Sequence, residues 1–145
     1  MKAYLTRRYR FSASHRLHNQ QFSESKNQAV YGKCANPYGH GHNYALEVTV
    51  SGQVEASTGM VCDLALLDGL VDQQIVERFG HEHLNALPQF AEVVPTTENL
   101  CRDIYRILSS GVTESGPVPA KLEKIRLEET NSNSFEYAGD KELPY

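Results

Sequence analysis

Two segments near the start of the chain alternate apolar and polar side chains, which is the pattern of a β-strand with one buried face. In YRFSASHRL (residues 9–17), His15 falls in phase with the apolar positions, and arginine or serine occupies the positions between them. In HGHNYALEVTVSG (residues 40–52), His40 and His42 are likewise in phase with the apolar side chains that follow. The sequence therefore predicts two strands whose buried faces both contain histidine.

Helical periodicity replaces this alternation in the middle of the chain. One helix is predicted to begin after Asp63, because aspartate is a favoured N-cap residue. Its apolar stripe consists of Leu64, Leu67, Leu70, Val71 and Ile75. A second helix is predicted in PTTENLCRDIYRILSSG (residues 95–111), with a threonine near its N-cap, Glu98 in its first turn and Gly111 at its end.

The remaining segments predict two further strands and the connections between elements. The polar residues 18–39 are expected to form a long loop, and EASTGMVCDL (residues 55–64) a turn followed by a short strand. KLEKIRLEETNSNSFEYAG (residues 121–139) predicts two strands joined by an Asn-Ser-Asn turn. With strands first, helices next and strands last, the chain is predicted to be α+β, with a largely antiparallel sheet in a single domain over residues 1–145.

Charge is unevenly distributed along the chain and leaves two interpretations open. Residues 1–33 carry seven basic side chains and one acidic side chain, although the whole chain of 145 residues has a net charge of -4. A basic segment can bind an anionic ligand, or it can form a solvated face of salt bridges. The chain lacks the combination of basic and aromatic residues that is typical of nucleic-acid-binding modules, so no nucleic-acid partner is expected.

Neither a membrane segment nor a disulfide framework is expected. No apolar run is long enough to cross a bilayer, and the N-terminus lacks the apolar segment of a signal peptide. The three cysteines, Cys34, Cys62 and Cys101, are too few and too scattered for a disulfide framework. A reduced compartment is the simpler interpretation, and the cytoplasm is the expected location.

The in-phase histidines predict a metal site. Residues two apart on a strand point the same way, so His40 and His42 can direct both imidazoles at one ion. If the two strands are neighbours, His15 joins them, and three neutral imidazoles with an open position are the ligand set of a catalytic zinc. The alternative is that each histidine is buried and satisfied by hydrogen bonds. His81 and His83 have the same spacing but lie in a loop without alternation, which makes them a weaker candidate pair.

Two further residues carry chemistry that depends on their surroundings. Cys34 lies beside Lys33 in a loop rich in glycine, proline and asparagine, and a nearby cation favours the reactive thiolate. It is either an incidental loop thiol or, together with His81, a candidate base or nucleophile. Glu129 is in phase with apolar strand residues. It is either a strand-end charge or a carboxylate that accepts two N–H donors of an amidine-like ring.

Several short motifs occur in order between about Phe11 and Tyr137. They are FSASHRL, GKCANPYGHGHNY, TGMV, PTTEN and EETNSN. A lone His-x-His would be a weak signal, but these blocks together are specific. In them the chain resembles the 6-pyruvoyl-tetrahydropterin synthase family, and the resemblance covers nearly the whole chain.

The resemblance implies a tunnelling fold (T-fold), an antiparallel sheet with two helices on one face, whose strands are pooled between subunits into a barrel. It also implies a homohexamer made of two stacked trimers, with active sites between subunits. The implied substrate is 7,8-dihydroneopterin triphosphate. The implied reaction eliminates triphosphate and rearranges the side chain to a diketone without an external redox cofactor, and its product leads to tetrahydrobiopterin.

Carried over by position, the resemblance assigns the metal site and the catalytic groups. His15, His40 and His42 match the zinc ligands. Cys34 matches the catalytic cysteine, and His81 matches the histidine of the proton relay. The small-molecule reaction is thus expected to need Zn²⁺ and no other cofactor.

The resemblance also assigns the pterin pocket and reveals one departure. Glu129 matches the carboxylate that anchors the pterin, and Thr96 and Thr97 match a segment that lines the pocket. The family usually has an aspartate before the relay histidine, where this chain has Gly80. Because an aspartate would orient the imidazole, a slow relay is predicted that Gly80→Asp accelerates. This prediction would fail if another carboxylate nearby already replaces the aspartate. It would also fail if Gly80 holds a positive φ that aspartate tolerates poorly.

Two other functions stay open as alternatives. The related 6-carboxy-tetrahydropterin synthase of the queuosine route uses the same substrate and fold but also releases acetaldehyde, and its cysteine usually lies closer to the His-x-His. The longer spacing in CANPYGHGH favours the pyruvoyl enzymes. The chain could instead be a zinc- and pterin-binding oligomer with weak catalysis. Gly80 supports that alternative unless Asp72, Glu77 or Glu82 supplies the missing carboxylate.

Overall fold

The computed structural model describes residues 1–114 and 120–140, which form a four-stranded antiparallel sheet with helices packed against it. The strands are β1 (Lys2–His15), β2 (His40–Gln53), β3 (Lys121–Glu128) and β4 (Ser134–Tyr137), and they lie side by side in that order. The predicted α+β class and antiparallel sheet are confirmed. Strand β1 begins earlier than predicted, because its first residues pair with the far end of β2.

Helical segments fill the connections between the strands. They are α1 (Glu24–Tyr31), α2 (Leu64–Val71), α3 (Glu77–Phe79) and α4 (Thr97–Glu114), and a π-helical segment joins α2 to α3. The apolar stripes of α2 and α4 contribute Leu67, Val71, Leu100, Ile104 and Leu108 to the core. None of the helices described here is both long and apolar enough to cross a lipid bilayer.

Two predicted boundaries are confirmed by hydrogen bonds. The Asp63 side chain accepts a hydrogen bond from the backbone N–H of Leu66 at 3.1 Å, which makes it the N-cap of α2. The Asn-Ser-Asn turn separates β3 from β4, and the Glu129 N–H donates to the backbone oxygen of Asn133 across it at 3.2 Å. Both features depend on residues only a few positions apart.

The prediction of one long loop over residues 18–39 is wrong, because α1 forms within it. Ser23 caps this helix and accepts a hydrogen bond from the backbone N–H of Lys26 at 3.2 Å. The buried Asn27 side chain accepts from the Asn19 N–H and donates to the Asn19 oxygen, which closes the segment on itself. The helix has no apolar stripe, so hydrophobic periodicity cannot predict it.

The short strand expected within residues 55–64 does not form, and the segment is a turn. The Glu55 carboxylate accepts hydrogen bonds from the backbone N–H groups of Ser57 and Thr58 at 3.1 and 2.8 Å. These local bonds occupy the donors that a strand would offer to a neighbour. The chain therefore leaves the sheet between β2 and α2.

The predicted end of the second long helix is also wrong. Helix α4 passes through Gly111 and continues to Glu114. A Cβ at Gly111 would lie 2.7 Å from Cδ1 of Leu70, a side chain of α2. The glycine is therefore a point of close packing between α4 and α2 and does not stop the helix.

Candidate functional site

The in-phase histidines meet at one end of the sheet, on the face that packs against the helices. His15 ends β1 and pairs directly with His40, the first residue of β2, while His42 pairs with Ala13. Paired residues of antiparallel strands project to the same face, so the three imidazoles point to the same side. Their ring centroids lie 4.6, 5.0 and 4.9 Å apart. We call these residues the histidine triad.

The ring nitrogens of the triad are spaced for a single metal ion. One nitrogen from each imidazole lies within 4.8 Å of the other two, and Nε2 of His15 is 3.0 Å from Nε2 of His40. Nitrogen ligands 2.0–2.1 Å from a tetrahedral zinc are roughly 3.3 Å apart. The triad could therefore hold a metal ion with little rearrangement.

Burial and one hydrogen bond favour the neutral form of imidazole that binds metals. Nδ1 of the buried His15 donates to the backbone oxygen of Pro95 at 2.8 Å, which leaves Nε2 without a proton. Burial lowers the pKa of His15 to about 4, and burial followed by the charge of His42 lowers the pKa of His40. Within the described residues, Nε2 of His42 is buried and has no hydrogen-bond partner. A nitrogen in this position, beside those of His15 and His40, suits a metal ligand.

The turn after β3 brings Glu129 to the triad. Its Oε1 lies 3.3 Å from Nε2 of His42 and 3.6 Å from Nε2 of His15, and its side chain is 15% exposed. Its Oε2 accepts a hydrogen bond from the side-chain amide of Asn133 at 2.8 Å. One carboxylate oxygen is thus held within the turn. The other can approach a metal ion or accept hydrogen bonds from a ligand.

The two threonines at the start of α4 have different surroundings. Oγ1 of Thr96 accepts a hydrogen bond from the backbone N–H of Asn99 at 3.2 Å, so Thr96 is the N-cap of the helix. Thr97 is 2% exposed, and its hydroxyl has no hydrogen-bond partner in the part of the chain that is described. The Thr97 hydroxyl is thus unpaired within the described residues, whereas the Thr96 oxygen is already used by the helix.

Cys34 lies at the same end of the sheet as the triad. It belongs to a 3-10 turn, Gly32–Ala35, and its backbone oxygen accepts a hydrogen bond from the N–H of Leu17 at 2.8 Å. Leu17 follows closely after His15, the last residue of β1. The thiol is free and partly buried. The backbone therefore holds Cys34 beside the strand end that carries the triad.

His81 lies on the side of the sheet away from the triad within one chain. Its backbone N–H donates to the oxygen of Ser12 at 2.6 Å, and Nδ1 of the nearby His83 is 2.9 Å from Oγ of Ser14. The exposed His81 side chain lines an open cleft with Ser12 and Asn43, whose positions alternate with the core-facing ones. His81 and His42 both line an open cleft, but within the described residues no hydrogen bond or ion pair joins His81 to the triad or to Cys34.

Comparison with known proteins places the chain in a family. Residues 4–140 match the family described as 6-pyruvoyl tetrahydropterin synthase. The 6-pyruvoyl tetrahydrobiopterin synthase of Poecilia reticulata is 44% identical over 138 residues, 94% of this chain and 90% of that protein. The Homo sapiens protein of the same name is 40% identical over 144 residues, 96% and 93% of the two chains. The solved structure of Caenorhabditis elegans 6-pyruvoyl tetrahydropterin synthase is 35% identical, with 97% of each chain covered and a TM-score of 0.88.

This chain belongs to the 6-pyruvoyl tetrahydropterin synthase family. The resemblance carried by its short motifs is confirmed, and the matched region contains every residue to which that resemblance assigns a role. The four-stranded sheet with its helices is the T-fold of this family.

Two groups at the site of this family member are not singled out by the sequence. Tyr44 is in phase with His42, but an aromatic residue on an alternating strand is equally well explained as core, so its buried, unpaired hydroxyl is unexpected. The Pro95 oxygen that accepts from His15 is a backbone group 80 residues away. No side-chain pattern predicts such a contact.

Gly80 occupies the position of the family's usual aspartate, and its surroundings are crowded. Its φ is −61°, so a positive φ does not explain the glycine; the left-handed residue is His81, at φ 61°. A Cβ at Gly80 would overlap the backbone oxygen of Val76. In the described part of the chain, Asp72, Glu77 and Glu82 form no hydrogen bond or ion pair with the His81 ring. None of these three carboxylates therefore substitutes for the aspartate within the described part of one chain.

Replacing Gly80 with aspartate is now expected to destabilise the protein, contrary to the faster relay predicted from sequence. The new Cβ must displace the Val76 carbonyl, a backbone group that cannot rotate away, and such overpacking costs roughly 1–3 kcal/mol. Gly80→Ala should cost as much, because it adds the same atom. Gly69→Ala is the control, because its Cβ would meet nothing within 4 Å. Urea unfolding measures all three. A Gly80→Asp protein as stable as the wild type, with faster turnover, would restore the first prediction.

Proposed function

We propose that this protein is a zinc-dependent 6-pyruvoyl-tetrahydropterin synthase that eliminates triphosphate from 7,8-dihydroneopterin triphosphate. The observation that carries the proposal is the triad, a set of converging imidazoles in a chain whose relatives of that name are 44% and 40% identical to it. Glu129, Thr97 and the segment of Cys34 lie around the triad. This grouping supports a metal site, a substrate anchor and a base at one end of the sheet.

The residues of the triad fit a zinc ion. His15, His40 and His42 would hold it through their ring nitrogens, and the hydrogen bond from His15 to Pro95 would fix the tautomer and orientation of one ligand. When bound, zinc supplies a Lewis acid that polarises substrate oxygens and acidifies the neighbouring C–H. Glu129 lies next to the triad, and we propose that the substrate approaches from this side.

We assign substrate binding to Glu129 and Thr97 and proton transfer to Cys34. A carboxylate can accept two N–H donors from the amidine-like edge of a pterin. A ring nitrogen that binds a metal carries no proton and cannot donate a hydrogen bond to Oε1 of Glu129. With zinc bound, Oε1 would therefore be free to accept from the pterin edge. The Cys34 thiolate would take the proton from the substrate carbon next to the developing carbonyl. Thr96 would support this wall of the pocket as the N-cap of α4.

We propose that the relay histidine acts in the site of a neighbouring subunit. His81 lies on the side of the sheet away from its own triad, so a relay within one chain would have to cross the sheet. Strands β1 and β4 form the two edges of the described sheet, and residues 81–83 already bond to β1 near Ser14. The rest of these edges can pair with strands of another subunit. Both features support a homohexamer of two stacked trimers, with strands pooled into a barrel and sites between subunits.

Some basic side chains of the N-terminal segment form salt bridges, and another lines a cavity. Arg7 and Arg8 each bind a carboxylate at 2.9 Å, so the salt-bridge interpretation holds for them. Arg16 instead lines a polar cavity of about 600 Å³ at the end of β1, together with His18 and His83. We propose that this cavity receives the triphosphate of the substrate.

A reduced compartment suits the proposed chemistry. All three cysteines are free thiols, and Cys34 must stay unoxidised to accept a proton. We therefore propose the cytoplasm as the place of the reaction.

Turnover of 7,8-dihydroneopterin triphosphate with product analysis tests the proposed function. The expected products are inorganic triphosphate and the diketone pterin, and removal of zinc with a chelator should stop their formation. Release of acetaldehyde would identify the 6-carboxy enzyme instead. Pterin binding without turnover would identify a binding oligomer with weak catalysis. Light scattering of the same sample tests the hexamer.

Replacing Glu129 with glutamine is expected to weaken pterin binding by about 2 kcal/mol or more, because a buried, charge-assisted hydrogen-bond pair is lost. The variant should keep its zinc, since the three histidines are unchanged. Fluorescence titration with neopterin gives the affinity, and metal analysis of the same sample gives the zinc content.

Glu128→Gln is the matched control for this substitution. The neighbouring Glu128 binds Arg8 at 2.9 Å and does not contact the triad, so its loss should leave neopterin affinity unchanged. An unchanged affinity in Glu129→Gln would contradict the anchoring role. A loss of zinc from Glu129→Gln would show that the carboxylate is a metal ligand.

A further inference from the structure

Two buried hydroxyls lie beside the triad without a hydrogen-bond partner. Tyr44 is 1% exposed and Thr97 2% exposed, and neither hydroxyl is hydrogen-bonded within residues 1–114 and 120–140. The two hydroxyls approach each other but do not reach hydrogen-bond geometry. The third unpaired buried side-chain atom in the same described part is Nε2 of His42, which belongs to the metal site. The unpaired polar atoms thus share one region.

The Tyr44 ring is held in place by aromatic neighbours. It stacks on Phe11 with 5.1 Å between ring centroids and meets the edge of the His42 ring at 5.6 Å. The hydroxyl therefore cannot swing towards another part of the core. A buried polar group left unpaired destabilises a folded protein. Its presence here points to a partner outside the described residues, such as a bound ligand.

The surroundings of the Tyr44 hydroxyl define the chemistry of that partner. A phenol hydroxyl can donate one hydrogen bond. Oε1 of Glu129 lies 3.3 Å from Nε2 of His42, and the His42 ring meets the Tyr44 ring. A ligand that offers N–H groups to Glu129 would therefore present its adjacent ring atom to Tyr44. That atom must be an acceptor to satisfy the hydroxyl.

We propose that the Tyr44 hydroxyl donates a hydrogen bond to the ring carbonyl of the bound substrate, next to the N–H edge that Glu129 accepts. This inference rests on the proposed function, because it takes the ligand to be a pterin. A pterin carries its carbonyl oxygen beside the ring N–H of the amidine-like edge. Glu129 would accept from the ring N–H groups, and Tyr44 would donate to the ring carbonyl beside them. Together they select a ring with a carbonyl over one with an amino group at the same place.

Tyr44→Phe tests the proposal, because it removes one oxygen atom and keeps the ring stacked on Phe11. Fluorescence titration of the zinc-loaded protein should show a neopterin affinity about tenfold weaker than that of the wild type. Zinc content should not change. The melting temperature of the free protein should stay the same or rise, because the hydroxyl that is lost has no partner there.

Tyr9→Phe is the matched control. The Tyr9 hydroxyl donates to Oδ1 of Asp68 at 2.7 Å, so its removal should lower the melting temperature and leave neopterin affinity unchanged. The two variants are thus expected to behave in opposite ways. A Tyr44→Phe protein that binds neopterin as tightly as the wild type overturns the proposal, whether or not it melts at a lower temperature.

The same measurements separate this inference from the proposed function. If the zinc-loaded wild-type protein binds no neopterin, both are overturned. If the wild type binds neopterin and Glu129→Gln weakens binding while Tyr44→Phe does not, the proposed function stands and only the role of Tyr44 is lost.

Discussion

Replacing His42 with alanine is expected to remove the zinc and abolish turnover. His42 supplies one of three ring nitrogens that lie within 4.8 Å of one another. Loss of a hydrogen-bond partner of a metal ligand already costs roughly 10–100-fold in metal affinity, so loss of the ligand itself should cost more. Metal analysis after dialysis should find about one zinc per subunit in the wild type and almost none in the variant.

His83→Ala is the control for the His42 experiment. His83 is exposed and lies outside the triad, where its Nδ1 contacts Oγ of Ser14 at 2.9 Å. Its removal should leave the zinc content unchanged. Circular dichroism should show that both variants keep the fold. Full retention of zinc by His42→Ala would contradict the triad as the metal site, and zinc loss in His83→Ala alone would move the site to the loop.

Cys34→Ala is expected to lower kcat by roughly 10²–10⁴-fold, the contribution typical of a general base. Alanine keeps the backbone oxygen that accepts from Leu17, so the turn should hold its position while zinc and neopterin still bind. Burial raises the pKa of Cys62 and raises that of Cys101 to about 12, which disfavours the thiolate form of both. Turnover at saturating substrate, zinc content and neopterin affinity are measured on one preparation.

The control for this experiment is Cys62→Ala, which removes a thiol distant in sequence from the triad and should leave kcat near the wild-type value. Near-normal kcat in Cys34→Ala would show that the cysteine is not the base, and His81 would become the first candidate. Loss of zinc or of neopterin binding along with kcat would mean that Cys34 acts in binding.

The histidine triad and the buried face of each main strand could be predicted because they depend on local geometry. Residues two apart on a strand share a face whatever the rest of the chain does, so the phase of His15, His40 and His42 is visible within each strand. Asp63 was equally predictable, because it caps an N–H three residues later. Helix α1 was not, since a serine cap and the buried Asn27 hold it in place without an apolar stripe.

The site itself depends on contacts between segments that are far apart in the chain. The register of β1 on β2 pairs His15 with His40, and the turn after β3 brings Glu129 to 3.3 Å from His42. Packing around the triad leaves the Tyr44 hydroxyl buried without a partner. His81 meets the opposite side of the sheet, although its motif resembles that of a relay residue. Backbone geometry within a strand decides which face of the sheet a side chain occupies, so the alternation of residues predicts that face. Which faces meet is set by the packing of the whole core, and that appears only in the folded chain.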